Sequence, residues 1–332
     1  MQRRKLIGAT CAAALALGMA SSAMAQTRDK VTLLLNWYVY SEHAPFFIGK
    51  AKGFYEAEGI DLDIQEGRGS AVSIQAVAAN SATFGYVDVP TMIRAATKGA
   101  PVKAVGVALQ VSPMSVMGLA EKNIKTPKDI VGKTVAMTPG DSMSQIWPLF
   151  LKKTGLKEGD YKVVSGDGQT KLNAVINGQA DLLLGYVMDQ NIKIQDATKK
   201  PVQVIRFADY GIEMVSSGIV ANKDTLANKG DLVKRFMRAT TKAFEATEKD
   251  PEGAIDAMLK ANAKAGQRDT LIIGIKLTTP LYHTAETKNL RPLRASMKDI
   301  DASLDLLVQY GGLDASLRGK ADDWVTNDFL PQ

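Results

Sequence analysis

The alternation of short β-branched runs with helical segments, sustained from Val31 to Phe207, most limits the folds open to this chain. Strands that recur with a helix between them are joined by crossovers, so the pattern calls for α/β lobes on largely parallel sheets. The reading begins with a strand Val31–Asn36 and a helix from Pro45 to about Glu58, with Phe47, Ala51, Phe54 and Tyr55 on one face. It continues with a strand Asp61–Gln65, a turn and N-cap at Gly69-Ser70, a helix Ala71–Ala79 and a strand Thr83–Tyr86. A helix Pro90–Lys98 and a strand Val102–Leu109 complete the first series, and Ser112-Pro113-Met114-Ser115 reads as a crossing.

A second series follows: strand Thr134–Met137, helix from Ser142, strand Tyr161–Val164, helix Gln169–Asn177, strand Ala180–Leu184, helix Asp189–Thr198 and strand Val202–Phe207. A return crossing fits Ser216-Ser217-Gly218. Beyond Asp231 the chain turns helical, with Val233, Phe236, Met237, Thr240, Phe244 and Thr247 on one face, until Asp250-Pro251 restarts it. The next helix buries Ile255, Met258 and Leu259, and a last one carries Met297, Ile300, Leu304 and Leu307 to Gly311-Gly312. The expected organisation is therefore lobe I over 26–115 and 219–332, and an inserted lobe II over 116–218, hinged on two connections.

The first 25 residues read as a signal peptide: Arg3, Arg4 and Lys5, an apolar run from Leu6 to about Met19, then Ala23-Met24-Ala25 before cleavage at Gln26. That run is too short to span a bilayer, and no later stretch reaches about 18 uncharged apolar residues, so the mature protein is expected in the periplasm and outside the membrane. Paired arginines leave twin-arginine export as an alternative to general secretion. The lone cysteine, Cys11, falls in this leader, so the mature chain has no disulfide, thiolate nucleophile or cysteine-bound zinc, and its stability must come from packing. The 307 residues that remain exceed what one core usually supports, which again calls for two lobes. Removing three leader charges narrows 41 basic against 35 acidic residues to 38 against 35. With no basic run interleaved with aromatics, nucleic acid is excluded as a partner.

One local pattern occurs twice. Asn80 to Tyr86 and Asn177 to Tyr186 both read helix end, polar turn, apolar strand, then Gly-Tyr. Ligands of open α/β sheets lie beyond the carboxyl ends of the strands, so both corners, with Tyr86 and Tyr186, are expected to face one cleft. Asn36-Trp37 and His43 converge on the first strand-to-helix loop and supply an amide, an indole for stacking and an imidazole. Gly69-Ser70 and Gly140-Asp141-Ser142 precede helices, where backbone N–H groups either meet a ligand acceptor or are simply capped. Asp88, Tyr210 and Glu213 complete the ligand-binding candidates, Glu213 as a carboxylate able to pair with an aminopyrimidine edge. Asp189 is assigned to helix capping, Trp147 either faces the cleft or packs, and Pro148 should kink or delay its helix. Arg68, Arg94 and Arg206 are the partners available to an anion. No catalytic residue, metal or cofactor is expected.

Asn36-Trp37 with His43-Ala44, followed by Ala51-Lys52-Gly53-Phe54-Tyr55-Glu56-Ala57-Glu58-Gly59-Ile60-Asp61-Leu62, resembles the thiamine-pyrimidine family of periplasmic binding proteins. The segment from Lys52 to Gly59 is shared with sulfonate, taurine, nitrate and bicarbonate binders, whereas the Asn-Trp and His pair is narrower. Ala82 to Asp88 and Ala208 to Ile212 extend the similarity. The resemblance implies a two-lobed type II binding-protein fold with a hinge and interlobe cleft, and an ABC transporter permease with its ATPase subunit as partner; a monomer is the default expectation. It also implies the ligand, a small planar molecule such as hydroxymethylpyrimidine or formylaminopyrimidine; an alkanesulfonate, a flavin or an aromatic acid is the alternative. The same family includes a fungal enzyme that builds the pyrimidine from its own histidine and a lysine-bound pyridoxal phosphate. Aligned on Gly85, Val87 and Thr91 stand where that lysine and histidine fall, and its cysteine cluster is missing, so that chemistry lacks its reactive groups here.

Overall fold

The computed structural model describes residues 28–332, so the leader, its cleavage site and Cys11 lie outside the described residues. Strands β1 (Asp29–Leu34), β2 (Ile60–Gln65), β3 (Phe84–Asp88) and β4 (Val102–Val107) alternate with helices α1 (Ala44–Ala51), α2 (Phe54–Ala57), α3 (Ser70–Ala78) and α4 (Val89–Ala96). The second series holds β5 (Met114–Leu119), β6 (Thr134–Met137), β7 (Lys162–Ser165), β8 (Leu182–Tyr186) and β9 (Val202–Arg206). Its helices are α5 (Ser142–Thr154), α6 (Gly168–Ile176) and α7 (Gln190–Thr198). After β10 (Ser217–Asn222) come α8 (Lys223–Asn228), α9 (Gly230–Lys249), α10 (Pro251–Ala261), α11 (Arg268–Thr278), α12 (Met297–Gln309) and α13 (Ala321–Trp324).

These strands build two five-stranded sheets, β2-β1-β3-β10-β4 and β7-β6-β8-β5-β9, which repeat one topology. The fold is the two-lobed α/β one expected, but the sheets are mixed. In each, four strands run in one direction and the crossing strand, β10 or β5, lies between two of them and pairs antiparallel with both. The reason is geometric: the parallel strands end at the cleft, and a chain arriving from the other lobe starts there and must run away. Met114 and Ser115 already pair in the second sheet, opposite Tyr186 and Gly185, and Ser217 and Gly218 in the first, opposite Asp88 and Val87. The sheets thus exchange chain two residues before each of the expected boundaries, 115/116 and 218/219.

Local departures have local causes. The expected helix from Pro45 to Glu58 is broken in two at Gly53, whose φ of 71° only glycine adopts without strain, and Ala51 beside the break is exposed. Pro148 lies inside α5 without ending it. The expected face of α9 is buried throughout, with Phe236 stacked on Phe84 of β3 at 4.0 Å between ring centroids. Asp250 caps α10 by accepting from the Gly253 N–H at 2.9 Å. The α9 and α10 helices pack on α1 and brace the first lobe. Among the described residues no helix is long and apolar enough to cross a membrane.

Candidate functional site

Because β1, β2 and β3 end at the same edge as β6, β7 and β8 of the other sheet, the helices that follow them start at the cleft. Between these ends lies a narrow cavity of about 340 Å³, counting its open mouth. The first lobe lines it with Asn36, Trp37, Tyr40 and Ser70, and the second with Asp141, Ser142, Met143, Lys171, Gly185, Tyr186 and Gln190.

The lobes are closed on one another. Tyr38 donates its hydroxyl to Asp189 at 2.5 Å, Gln190 donates its amide to Tyr38 at 3.2 Å, and the Lys193 ammonium lies 4.0 Å from the Tyr38 ring centroid. The Ala71 N–H donates to the Gly140 carbonyl at 3.2 Å. The Trp37 indole rests on the first residue of α6, where a Cβ on Gly168 would fall 2.7 Å from Cζ2 of Trp37.

Trp37 and Asn36 hold their places for different reasons. The indole is partly buried and separates the cavity from a wider outer groove of about 1,030 Å³, walled also by Tyr38, Glu66, Arg68, Thr138 and Gln169. Its Nε1 is buried and has no partner among the described residues. Asn36 is fixed from behind: its Oδ1 accepts from His43 Nε2 at 2.8 Å, and its amide donates to Ser217 at 3.4 Å. Burial depresses the His43 pKa to about 3, so the ring is neutral, with Nδ1 accepting from the Tyr40 N–H. His43 therefore lies behind the wall rather than in it.

Tyr86 is likewise turned away. It donates to Glu42 at 2.8 Å within the first lobe, as Tyr40 also does, and burial raises the Glu42 pKa. Only the second Gly-Tyr corner reaches the cavity: Tyr186 shares hydrogen bonds with Ser142 at 2.9 Å and with Ser216 at 3.2 Å. Asp88 is consumed as the N-cap of α4, accepting from the N–H and hydroxyl of Thr91, and burial pushes its pKa up to about 6. Gly69 and Gly140 supply closely approaching backbone instead of cavity wall; a Cβ on Gly69 would fall 2.7 Å from the Gly140 carbonyl oxygen.

Tyr210 packs edge-on against Phe150, and Glu213 is exposed and outside the cavity. Trp147 stacks on Phe150 and donates to Tyr161 at 2.7 Å, which settles it as packing. Asp189 makes no capping bond to its own helix; its carboxylate goes to Tyr38 and Lys193. Of the arginines, Arg94 donates to the Gly311 carbonyl and Arg68 sits in the outer groove.

Lys171 escaped the reading of the sequence. It is 2 % exposed, donates to Asp141 at 3.1 Å and to the Leu184 carbonyl at 2.9 Å, and sits 4.9 Å from the Trp37 ring centroid. The signal was its position on the buried face of α6 beside Leu172, one turn before Val175. Asp141 both caps α5 through Ser144 and pairs with this lysine. Tyr40, Met143 and Gln190 were also missed.

Comparison with known proteins fits this geometry. A 4-amino-5-hydroxymethyl-2-methylpyrimidine phosphate synthase of Legionella pneumophila is 26% identical over 290 residues, covering 87% of each chain. A formylaminopyrimidine-binding protein of Halalkalibacterium halodurans is 25% identical over 309 residues, 92% of this chain and 87% of that one. In fold, the alkanesulfonate-binding protein SsuA of Xanthomonas axonopodis pv. citri, solved with MOPS bound, superposes with a TM-score of 0.67 at 16% identity, covering 90% of this chain and 98% of that one. Residues 40–254, more than half of the chain and including most of the cavity wall, match the profile described as NMT1/THI5 like, and the protein belongs to that family.

Proposed function

We propose that this protein is the solute-binding component of an ABC import system and captures a small planar nitrogen heterocycle related to the thiamine pyrimidine. The observation that carries this reading is the cavity between the two lobes, walled by the Trp37 indole of the first and by polar groups of the second, Asp141, Ser142, Lys171 and Tyr186. The name of the Halalkalibacterium relative supports the ligand class. Binding would proceed by hinge closure, with the ring entering against Trp37 and the second lobe closing over its edge. The closed form would then be what a permease and its ATPase recognise. The leader read at residues 1–25 supports a periplasmic carrier.

The synthase names among the relatives raise an enzymatic reading, which the residues oppose. Val87, where the lysine of the pyridoxal-dependent enzyme would stand, is fully buried in β3, and Thr91 is buried and bonded to Asp88. A longer guest, such as a flavin, is the reading that the outer groove beyond Trp37 favours. Titration calorimetry separates these. Heat with 4-amino-5-hydroxymethyl-2-methylpyrimidine or formylaminopyrimidine, unchanged compound on recovery, and none with ethanesulfonate or riboflavin is expected. Binding of the latter two alone, or conversion of added pyridoxal phosphate, would reverse the assignment.

A further inference from the structure

The hydrogen-bonding capacity of the cavity is lopsided. Its carboxylate, Asp141, is engaged on both oxygens, by the Ser144 N–H and by Lys171. Glu42 lies behind the wall and is bonded to Tyr40 and Tyr86. The Gln190 carbonyl oxygen accepts from the Tyr186 N–H, and its amide nitrogen donates to Tyr38 and Asp189. What is left free is on the donor side. An ammonium has three N–H groups, and Lys171 places two, on Asp141 and Leu184. The third has no acceptor among the described residues, and the ammonium sits at the cavity wall within 4.9 Å of the Trp37 ring centroid. Ser70 accepts from the Asp88 N–H, which leaves its own proton to donate.

We infer that Lys171 is the specificity residue of the cleft: its third N–H donates to an acceptor atom on the ligand, so the site selects acceptor-bearing guests. The acceptor would be a ring nitrogen or carbonyl oxygen of a heterocycle, or a sulfonate oxygen. Among the described residues of the cavity wall, no carboxylate is left free to pair with a ligand amino group. For a heterocycle this deepens the function proposed above and rests on it; for a sulfonate it stands without it. An ion-paired lysine serving structure alone would hold α6 to α5 and leave affinity untouched.

The test uses Lys171→Met combined with Asp141→Asn, which removes both charges together and keeps a good N-cap on α5. The probes are 4-amino-5-hydroxymethyl-2-methylpyrimidine, its benzene counterpart with both ring nitrogens replaced by CH, and ethanesulfonate, titrated calorimetrically into the whole protein. A hydrogen bond from a charged donor predicts that each acceptor-bearing probe that binds the wild type loses at least about tenfold in affinity, and any binding of the benzene counterpart less than about twofold. Affinities unchanged within about twofold overturn the inference, as does the failure of both acceptor-bearing probes to bind the wild type. Ethanesulfonate binding that depends on Lys171, with no pyrimidine binding, sinks the pyrimidine reading and leaves Lys171 standing. If the double variant does not melt cooperatively, Lys171→Gln carries the test, a loss of about threefold or more supporting donation and a smaller one overturning it.

Discussion

Tyr38 of the first lobe donates its hydroxyl to Asp189 of the second at 2.5 Å, and this bond spans the cleft beside the cavity. The accepting carboxylate is held also by Lys193 at 2.8 Å. Burial, then the charge of Asp189, raises the Tyr38 pKa well above its ordinary value, so the phenol remains the donor throughout the physiological range. Hydrogen bonds to charged groups contribute about 1.5–3 kcal/mol. Tyr38→Phe should therefore weaken closure and lower ligand affinity by about tenfold or more, with a larger radius of gyration in small-angle scattering of the unliganded protein. A variant with unchanged scattering and affinity would show that the bond is incidental.

Gly168 is the place where the second lobe touches the indole. A Cβ there would lie 2.7 Å from Trp37 and 2.9 Å from Tyr38, closer than carbon atoms approach in folded proteins. Gly168→Ala is expected to hold the lobes apart and weaken binding by about tenfold while the melting temperature of the unliganded protein moves by only about 2 °C. Equal losses in stability and binding would point to damage within the second lobe instead.

Trp37→Ala removes the partition between cavity and outer groove. Lost stacking and lost burial together should cost about 2–4 kcal/mol of binding, or roughly 30-fold or more. Calorimetry checks this, and retention of affinity would place the ligand elsewhere.

The buried His43 makes the fold acid-sensitive in a defined direction. Its folded pKa of about 3 lies below the unfolded 6.5, so the unfolded chain binds a proton in that window that the folded one refuses, and stability falls as pH drops from 6.5 toward 3. Asp88 acts oppositely: raised from 3.8 to about 6, it lowers stability as pH rises through that interval and masks His43 there. His43→Gln keeps a donor toward Asn36 without the titration. Its urea midpoint relative to wild type should improve as pH falls from 6.5 to 4, by up to about 1.4 kcal/mol per pH unit. Parallel pH curves for the two proteins would contradict this.

Much of the fold was legible because strand and helix periods are local properties. The equivalence of β3 and β8 could be seen from the repeated Gly-Tyr pattern, and the buried face of α9 from the spacing of Val233, Phe236, Thr240 and Phe244. Strand direction was not legible, since nothing in the composition of β5 or β10 records which edge the chain enters from. The site was read half correctly for a similar reason. Asn36, Trp37, Ser70, Asp141, Ser142 and Tyr186 sit on cleft-side ends and line the cavity. Tyr86, Asp88 and His43 occupy equally suitable positions but are drawn into hydrogen bonds within their own lobe, which depend on side-chain direction. Lys171 was passed over because a lysine within an apolar helix face reads as surface until its partner, 30 residues earlier, is known.

Whether the cleft holds a pyrimidine is decided by a crystal structure of the protein grown with 4-amino-5-hydroxymethyl-2-methylpyrimidine. One planar ring is expected inside the closed cleft, in contact with the Trp37 indole and with an acceptor atom within hydrogen-bond reach of the Lys171 ammonium. An empty cleft with the compound bound elsewhere, or a ring seated on the outer surface with Lys171 turned from it, would contradict it.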